Sequence, residues 1–530
     1  MPKNYLIGIG GTGARVIEAA VNLCAAGFGP DSLSIFLVDP DAGNGNLTRT
    51  KSLITNYIKC RKNLTKGENT KIFKTDISIP PDEKGLVWEI FADTGATLSN
   101  FINYKNMMQN KKELSDFASV LFTDTELNTE LNEGFRGHPS IGSVVMANPP
   151  QDEYPFKMLF DDLAGNKKPN DIRVFLVGSV FGGTGAAGFP TLGSKNILKY
   201  HSSAKLQENV SQILLGGALV LPYFSFELDA EAEAKENMFV TTNDFPIATK
   251  AALQYYNEKD LGFDQIYFIG DSLAQKVGKF GVGAKKQENL PHYIEVVSSL
   301  AAFDFYDQPE IKGEAEKMLF TAIRETDTVK WSDLPVSRDP DKIRGKQRDL
   351  KSLLTYMTVF AYSYLTYGKR ILEAPHSVVK AYKETWYREN FDFSERDEND
   401  KEKDPRQKDN KNVLEDYTSF LSNFLFWITA MDDNSAKVEL IDKSMLLSED
   451  PEIGKAITLF NPENEVKKNT IGLLLKNERE NKGNDFNNFK TRGLNAVTIR
   501  DKRIADAASK YLNIFYEGAK KYSELNYNVN

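Results

Sequence analysis

Two glycine-rich stretches have the spacing to do chemistry: Gly8-Ile9-Gly10-Gly11-Thr12-Gly13, and Gly182-Gly183-Thr184-Gly185 running on to Gly188. Glycines let a backbone approach a phosphate closely. A helix that starts there aims free N–H groups and the positive end of its dipole at the anion. The hydroxyl of Thr184 adds a donor where a polyphosphate carries most of its charge. Asp39 and Asp41, on either side of Pro40, are carboxylates that can reach a ribose hydroxyl or a magnesium ion. Taken alone, Gly8-x-Gly10-x-x-Gly13 with Asp39 downstream fits the dinucleotide fingerprint, and with it a Rossmann oxidoreductase holding NAD. The second loop is one more than such a half-domain needs, whereas a nucleotide held by two phosphate loops accounts for both. The G-x-x-x-x-G-K-[ST] pattern of a P-loop does not occur.

Such loops need strands before them and helices after them. Residues 5–9 are an apolar run, and 14–26 carry Val16, Ile17, Ala20, Val21 and Cys24 at helical spacing. Residues 34–38 read as a second strand, ending at Asp39. Residues 172–177 have the pattern of another buried strand, with a helix expected from about Pro190. The expected fold class is α/β, with a parallel sheet flanked by helices. Further along, 230–258 predicts a helix, 264–271 a strand and 291–306 a helix. Residues 350–372 predict a helix rich in aromatics (Tyr356, Phe360, Tyr362, Tyr364, Tyr367), either core or a protein–protein face. Residues 394–412 carry many charges of both signs and read as a linker or a solvated loop. Helices are expected over 413–431 and 497–522, a short strand over 437–447 and a loop over 476–493.

Composition narrows the chemistry. A chain of 530 residues, 41% hydrophobic and 26% charged, is an ordinary globular protein too long for one core, so two or three domains are expected. Only Cys24 and Cys60 are cysteines, and the four histidines (His138, His201, His292, His376) form no pair at metal-ligand spacing. Neither a disulfide framework nor a transition-metal site is expected. A net charge of -8 argues against a nucleic-acid partner bound by bulk positive charge. No run reaches the roughly 18 apolar residues of a bilayer span, so no membrane insertion is expected. The first residues enter a strand directly, without the apolar region of a signal peptide, and the expected location is cytoplasmic.

The order of motifs carries a resemblance. GIGGTGAR, VDPDAGN, RGHPSIG (residues 136–142), FGGTGAAG and GALVLPYFSFE (residues 217–227) follow one another between Gly8 and Glu227. In that order they resemble the phosphate and ribose loops of the tubulin/FtsZ superfamily. The likeness is to the divergent bacterial tubulin-like proteins rather than to FtsZ or eukaryotic tubulin proper. Phe181 stands for the first glycine of the family's signature loop, Ala187 for its last, and Arg15 where many bacterial members have asparagine. The family-like part covers about residues 1–335.

The resemblance implies a tubulin-like GTP-binding domain over 1–288 and a central helix with linker over 289–326. Over 327–530 it implies a second α+β domain with a hydrolysis loop and a helical C-terminal extension. GTP or GDP with Mg2+ would lie on Gly10, Gly11, Thr12, Gly13 and Arg15, on Asp39 and Asp41, on Gly137 and His138, and on Gly182, Gly183, Thr184 and Gly185. Asp271 would close the ribose side, and Glu227, in the loop after the fifth strand, would also contact the nucleotide. Two stretches compete for the base: the family's element order nominates Asn289, His292 or Tyr293, and local likeness nominates Phe239 and Asn243. The residues themselves do not choose guanine over adenine. Magnesium would be held by phosphate oxygens and water, with no dedicated protein metal site.

In this family a neighbouring subunit inserts an acidic loop against the triphosphate, and Asp333 falls on that motif's final acid. Lys330 and Thr328 replace its first acid and its asparagine. The expected function is therefore a protein that assembles head to tail and hydrolyses GTP at the subunit interface. The rival from another class is a non-polymerising nucleotide-binding scaffold whose C-terminal region binds a protein partner.

Overall fold

The computed structural model describes residues 2–41, 43–64, 71–81, 83–89, 97–128, 130–131, 135, 138–147, 149–150, 152–165, 172–193, 213–227, 245–258, 262–271, 275–279, 289–308, 318–321, 328–373, 385–391, 403–431, 438, 488–499 and 506–526. The strands are β1 (Lys3–Ile9), β2 (Ser32–Val38), β3 (Asp76–Ser78), β4 (Val87–Trp88), β5 (Ile172–Ser179), β6 (Ile213–Val220), β7 (Phe224–Glu227), β8 (Gln265–Ile269), β9 (Gln275–Lys279) and β10 (Met318–Thr321). The helices that bear on the site are α1 (Gly10–Ala26), α2 (Gly45–Leu64), α3 (Pro139–Met146), α4 (Phe156–Gly165), α5 (Gly183–Leu192), α6 (Phe245–Glu258), α7 (Tyr293–Asp307), α8 (Pro340–Ser363), α9 (Lys408–Ala430) and α10 (Ala507–Asn526).

One eight-stranded sheet runs in the order β10-β8-β6-β5-β1-β2-β3, with β4 also on β2, and every pairing in it is parallel. β7 and β9 form a separate parallel pair. Helices cover both faces, which is why β5 (IRVFLVGS) and β6 (ILLGGALV) are buried from end to end rather than alternating. Two adjacent glycines of β6 show the two layers. A Cβ at Gly216 would lie 2.6 Å from Phe305 of α7, and one at Gly217 2.6 Å from Phe189 of α5, on the opposite face.

On the α7 face, α1 is buried along its whole length from Thr12 to Ala26, not on one stripe. It lies between the sheet, α2, α7 and α8. α2 buries Leu53, Ile54, Tyr57, Cys60 and Leu64 at helical spacing. α9 lies on α2, with Tyr417 OH donating to Cys60 O, Asn56 Nδ2 3.1 Å from Ser419 Oγ, and Phe73 4.9 Å from Phe420. α8, α9 and α10 pack on one another, and the hydrophobic core is continuous from β1 to α10.

The described residues of 327–530 are mainly helical. Among the described residues their only strand-like feature is a parallel bridge between Val329 and Val438. The apolar stripe of α8 is satisfied by helices: Phe360, and Tyr364 in the π-helical turn that continues α8, meet Tyr511, Phe515 and Tyr516 of α10. These aromatics are core.

Several boundaries differ from those expected. α5 begins at Gly183 rather than near Pro190, which lies inside the helix, because the glycine loop itself is the first turn. α8 begins at Pro340, capped by Asp339, and α9 begins at Lys408 inside the expected linker. Both early turns are polar and exposed, so no apolar period announces them. Val497 and Ile499 are extended and held by Asn390, and α10 starts only at Ala507. Phe489–Gly493 is a π-helical turn with Phe489 buried, not a loop. Residues 230–244, 439–447 and 476–487 lie outside the described residues.

Candidate functional site

β1 has β2 on one side and β5 on the other, so the chain's direction of winding reverses between β1 and β5. The crevice outside the carboxyl ends of strands at such a reversal is where doubly wound sheets take ligands. α1 leaves β1 there at Gly10, and α5 leaves the end of β5 just after Gly182. Their N-caps, Ile9 and Gly182, make no side-chain capping bond, so both helix starts offer backbone N–H groups to the crevice. Gly10 has φ +71, and a Cβ there would lie 3.3 Å from Thr184 Cβ and 3.5 Å from Gly185 N. The two glycine loops, far apart in sequence, thus touch.

Their glycines divide by role. A Cβ at Gly13 would lie 2.6 Å from the carbonyl carbon of Gly8, and one at Gly185 2.6 Å from Ser179 N. These two let helix and strand approach closely. Gly11, Gly182, Gly183 and Thr184 are half-exposed and line the crevice, while Thr12 is buried.

The third wall follows β2. Asp39 and Asp41 are both buried, and Asp41 N donates to Asp39 Oδ1 at 3.0 Å. Burial pushes the Asp39 carboxyl up to about 7, the Asp41 charge adds to this, and the Asp41 N–H opposes it. Asn44 and Asn46 continue the turn: a Cβ at Gly11 would lie 3.3 Å from Asn44 Nδ2 and 3.4 Å from Asn46 Nδ2. Asn46 Oδ1 accepts from Asn289 N at 2.9 Å, and its Nδ2 donates to Asn289 Oδ1 at 3.3 Å. Asn289 is thereby tied to the glycine loop.

Two expected ligands make structural contacts within the chain. Arg15 is buried, with Nε 2.6 Å from Glu295 Oε1 and Nη2 donating to Tyr223 OH. Burying a guanidinium is costly unless it is paired and hydrogen-bonded, and Glu295 of α7 is the charge partner of Arg15. His292 is the N-cap of α7. Its Nδ1 accepts from Ile294 N at 3.2 Å, while its backbone N–H donates to Glu295 Oε2 at 3.0 Å. Only 2% exposed, its ring packs on Tyr223 and on its neighbour Tyr293. The helix start takes its Nδ1.

The remaining candidates are spread around the same edge. His138 stands at the N-cap position of α3 without a side-chain capping bond, and its Nδ1 lies 3.0 Å from Glu126 Oε1. α3 packs on α5, where a Cβ at Gly142 would lie 2.6 Å from Ala187 Cβ. Asp271 is half-buried just past β8, two strands and so roughly 10 Å from β5. Glu227 ends β7. Gly137, Phe239 and Asn243 lie outside the described residues, as does the side chain of Glu227.

Asp333 is elsewhere. α7 starts at the crevice, where Glu295 meets Arg15. It ends beside the starts of β1 and β5, with Tyr306 OH donating to Tyr5 O at 2.9 Å and Arg173 donating to Tyr306 O. Its 15 residues span about 22 Å. Asp304, near its end, holds Ser337 and Arg338, so the segment carrying Asp333 lies at the opposite edge of the sheet from the glycine loops. Asp333 is half-buried in a 3-10 turn (Trp331–Asp333), and its Oδ2 accepts from Lys330 N at 2.7 Å.

No family model matches this chain, and no curated protein or solved structure is significantly similar to it. Among the described residues, no group of three or more His, Cys, Asp or Glu side chains is placed to hold a metal ion, and no helix is long and apolar enough to cross a membrane.

Sequence reasoning missed Asn46, Glu295, Tyr223 and the role of Phe181. Phe181 is buried, with its ring 4.6 Å from Phe245 and 5.4 Å from Phe224, and so anchors the second glycine loop to α6 and β7. A phenylalanine in a glycine run was the available signal. The capping spacing of His292 and Glu295 was the signal for Glu295.

Proposed function

We propose that this chain is a tubulin-like GTP-binding protein that assembles head to tail, with hydrolysis completed by Asp333 of the next subunit. The observation that carries the reading is the meeting of two uncapped glycine-loop helix starts, Gly10 against Thr184. A dinucleotide site uses one such loop, whereas a triphosphate tail gives both something to bind. Strand order does not separate these readings, since dinucleotide folds share it. The half-exposed Gly11, Gly182, Gly183 and Thr184 would hold the phosphates, and Asp39, Asp41 and Asn46 would bound the ribose side. Mg2+, when bound, would neutralise phosphate charge through phosphate oxygens and water.

The separation of Asp333 from the glycine loops supports hydrolysis in trans. Within one chain the length of α7 keeps them apart, whereas stacking the two edges of successive copies brings them together, a heterologous contact that propagates as an open filament. There Asp333 would take a proton from the attacking water as its oxygen bonds to the γ-phosphorus and the bond to the β–γ bridging oxygen breaks, leaving GDP and phosphate.

Pelleting and phosphate release with GTP, with ATP in parallel, test the proposal. GTP-dependent pelleting is expected for the wild-type chain, and turnover is expected to be lost in Asp333→Ala while bound nucleotide is retained. No nucleotide-dependent assembly at high protein concentration would remove the filament reading. The bond from Lys330 N to the Asp333 carboxylate favours a second reading, a nucleotide-binding scaffold without turnover. Nucleotide extracted from the purified chain and weighed by mass spectrometry, with neither assembly nor phosphate release, would establish that one.

A further inference from the structure

The geometry points to Asp304 as the positioning residue of the Asp333 turn, an inference that rests on the trans-hydrolysis reading above. Asp304 lies in the last turn of α7 and is 4% exposed. Its carboxylate gathers three elements. On one side Tyr267 OH, from β8, lies 2.8 Å from Oδ2. On the other, Arg338 N donates to Oδ1 at 3.1 Å, Ser337 Oγ lies 3.5 Å from Oδ1, and Arg338 Nε is 3.0 Å from Oδ2. The segment it grips is the one that carries Asp333. Between the turn and the grip, Leu334 and Val336 are buried, as is Trp331 within the turn. The turn is thus pinned by apolar side chains, and its exit is fixed in direction by one buried carboxylate.

That placement matters because α7 reaches the glycine loops at its other end through Glu295 and Arg15. β8, α7 and the 331–338 segment form one packed unit, so the acid presented to a neighbour is set against the rigid sheet rather than carried on a free loop. A carboxylate that must meet a water on another molecule has a narrow range of productive positions, and a misplacement of about 1 Å can cost roughly a hundredfold in rate. Asp304 itself touches neither nucleotide nor water; it acts through Asp333.

Asp304→Asn keeps the shape and removes the charge that Arg338 needs. The expected result is a fall in kcat for GTP of at least about tenfold with KM and nucleotide content within about twofold, since the crevice is at the other edge. A purely structural role would move the melting temperature and nucleotide content together with the rate. Arg338→Gln, altered at the partly exposed side of the same contact, is the second variant should Asp304→Asn fail to fold, and it is expected to give the same split.

Mixing decides whether the effect runs through the turn. Gly182→Asp puts a favoured capping side chain at the start of α5 and a negative charge where phosphate would lie, so it blocks the crevice while keeping the fold. Gly182→Asp alone is expected not to turn over GTP and Asp304→Asn alone to keep only its reduced rate, whereas their mixture should exceed the sum of the two, with intact turns serving intact crevices. If Asp333→Ala is rescued by Gly182→Asp and Asp304→Asn is not, the positioning role is overturned and trans hydrolysis stands. If neither is rescued, trans hydrolysis fails and the role of Asp304 falls with it.

Discussion

The two edges of the sheet that α7 spans are built in different ways. At the crevice, the chain meets its neighbours mainly through main chain and small side chains: Gly10 lies against Thr184, Gly11 against Asn44 and Asn46, and two helix starts have no capping side chain. At the opposite edge, side-chain groups close on one another, with Asp304 holding Ser337 and Arg338, Arg173 donating to the last carbonyls of α7, and Asp333 capping its own turn. One end leaves backbone donors for a ligand, and the other consumes its polar groups in fixing a shape. On the proposed reading the first would receive and the second would present, the asymmetry a head-to-tail contact requires.

The sharpest way to break that comparison is at the buried pair joining α7 to the crevice. Glu295→Ala leaves Arg15 buried without its carboxylate and should cost about 3–5 kcal/mol in urea unfolding of the full chain. An Arg15→Met/Glu295→Leu double variant should cost clearly less, because no charge is stranded. Gly185→Ala comes next: its Cβ would lie 2.6 Å from Ser179 N, a backbone atom that cannot swing away. A loss of roughly 3 kcal/mol is expected, with weaker nucleotide retention measured on the same preparation.

Asp39 sharpens the contrast through pH. Its carboxyl holds a proton up to about 7 in the folded chain, against 3.8 ordinarily. Between those values the folded state binds more protons than the unfolded one, so this group's contribution to stability falls as pH rises through the window. Asp39→Asn should therefore stabilise the chain by on the order of 2 kcal/mol at pH 8 and by almost nothing at pH 4, read from unfolding curves at the two pH values. The smallest stability effect is expected at the far edge. Asp333→Ala removes one cap from a half-buried turn, for about 1 kcal/mol, while phosphate release in the assembled state is lost.

Much of the sheet was legible from the residues. β1, β2, β5 and β8 read as apolar runs because both faces of a parallel sheet are buried, and α7 was placed within a residue or two by its apolar length. The helix starts at Gly183, Pro340 and Lys408 were not legible, since glycines read as loop and exposed polar turns carry no apolar period. Within the site, the crevice glycines could be named from spacing. The inward turn of Arg15 could not, because its partner Glu295 is 280 residues away, whereas the capping role of His292 had a local signal in its spacing to Glu295.

By itself the sequence determined an α/β chain with two glycine loops, each between a strand and a helix, an acidic pair after the second strand, and an acid far downstream. Spacing and apolar period suffice for those, because they are local properties of the backbone. Only the tertiary structure decided that Gly10 meets Thr184, that Arg15 belongs to the core, and that α7 holds Asp333 at the edge away from the crevice. Those facts follow from which strands lie side by side and from the demand that every buried charge find a partner, and neither can be read along the chain.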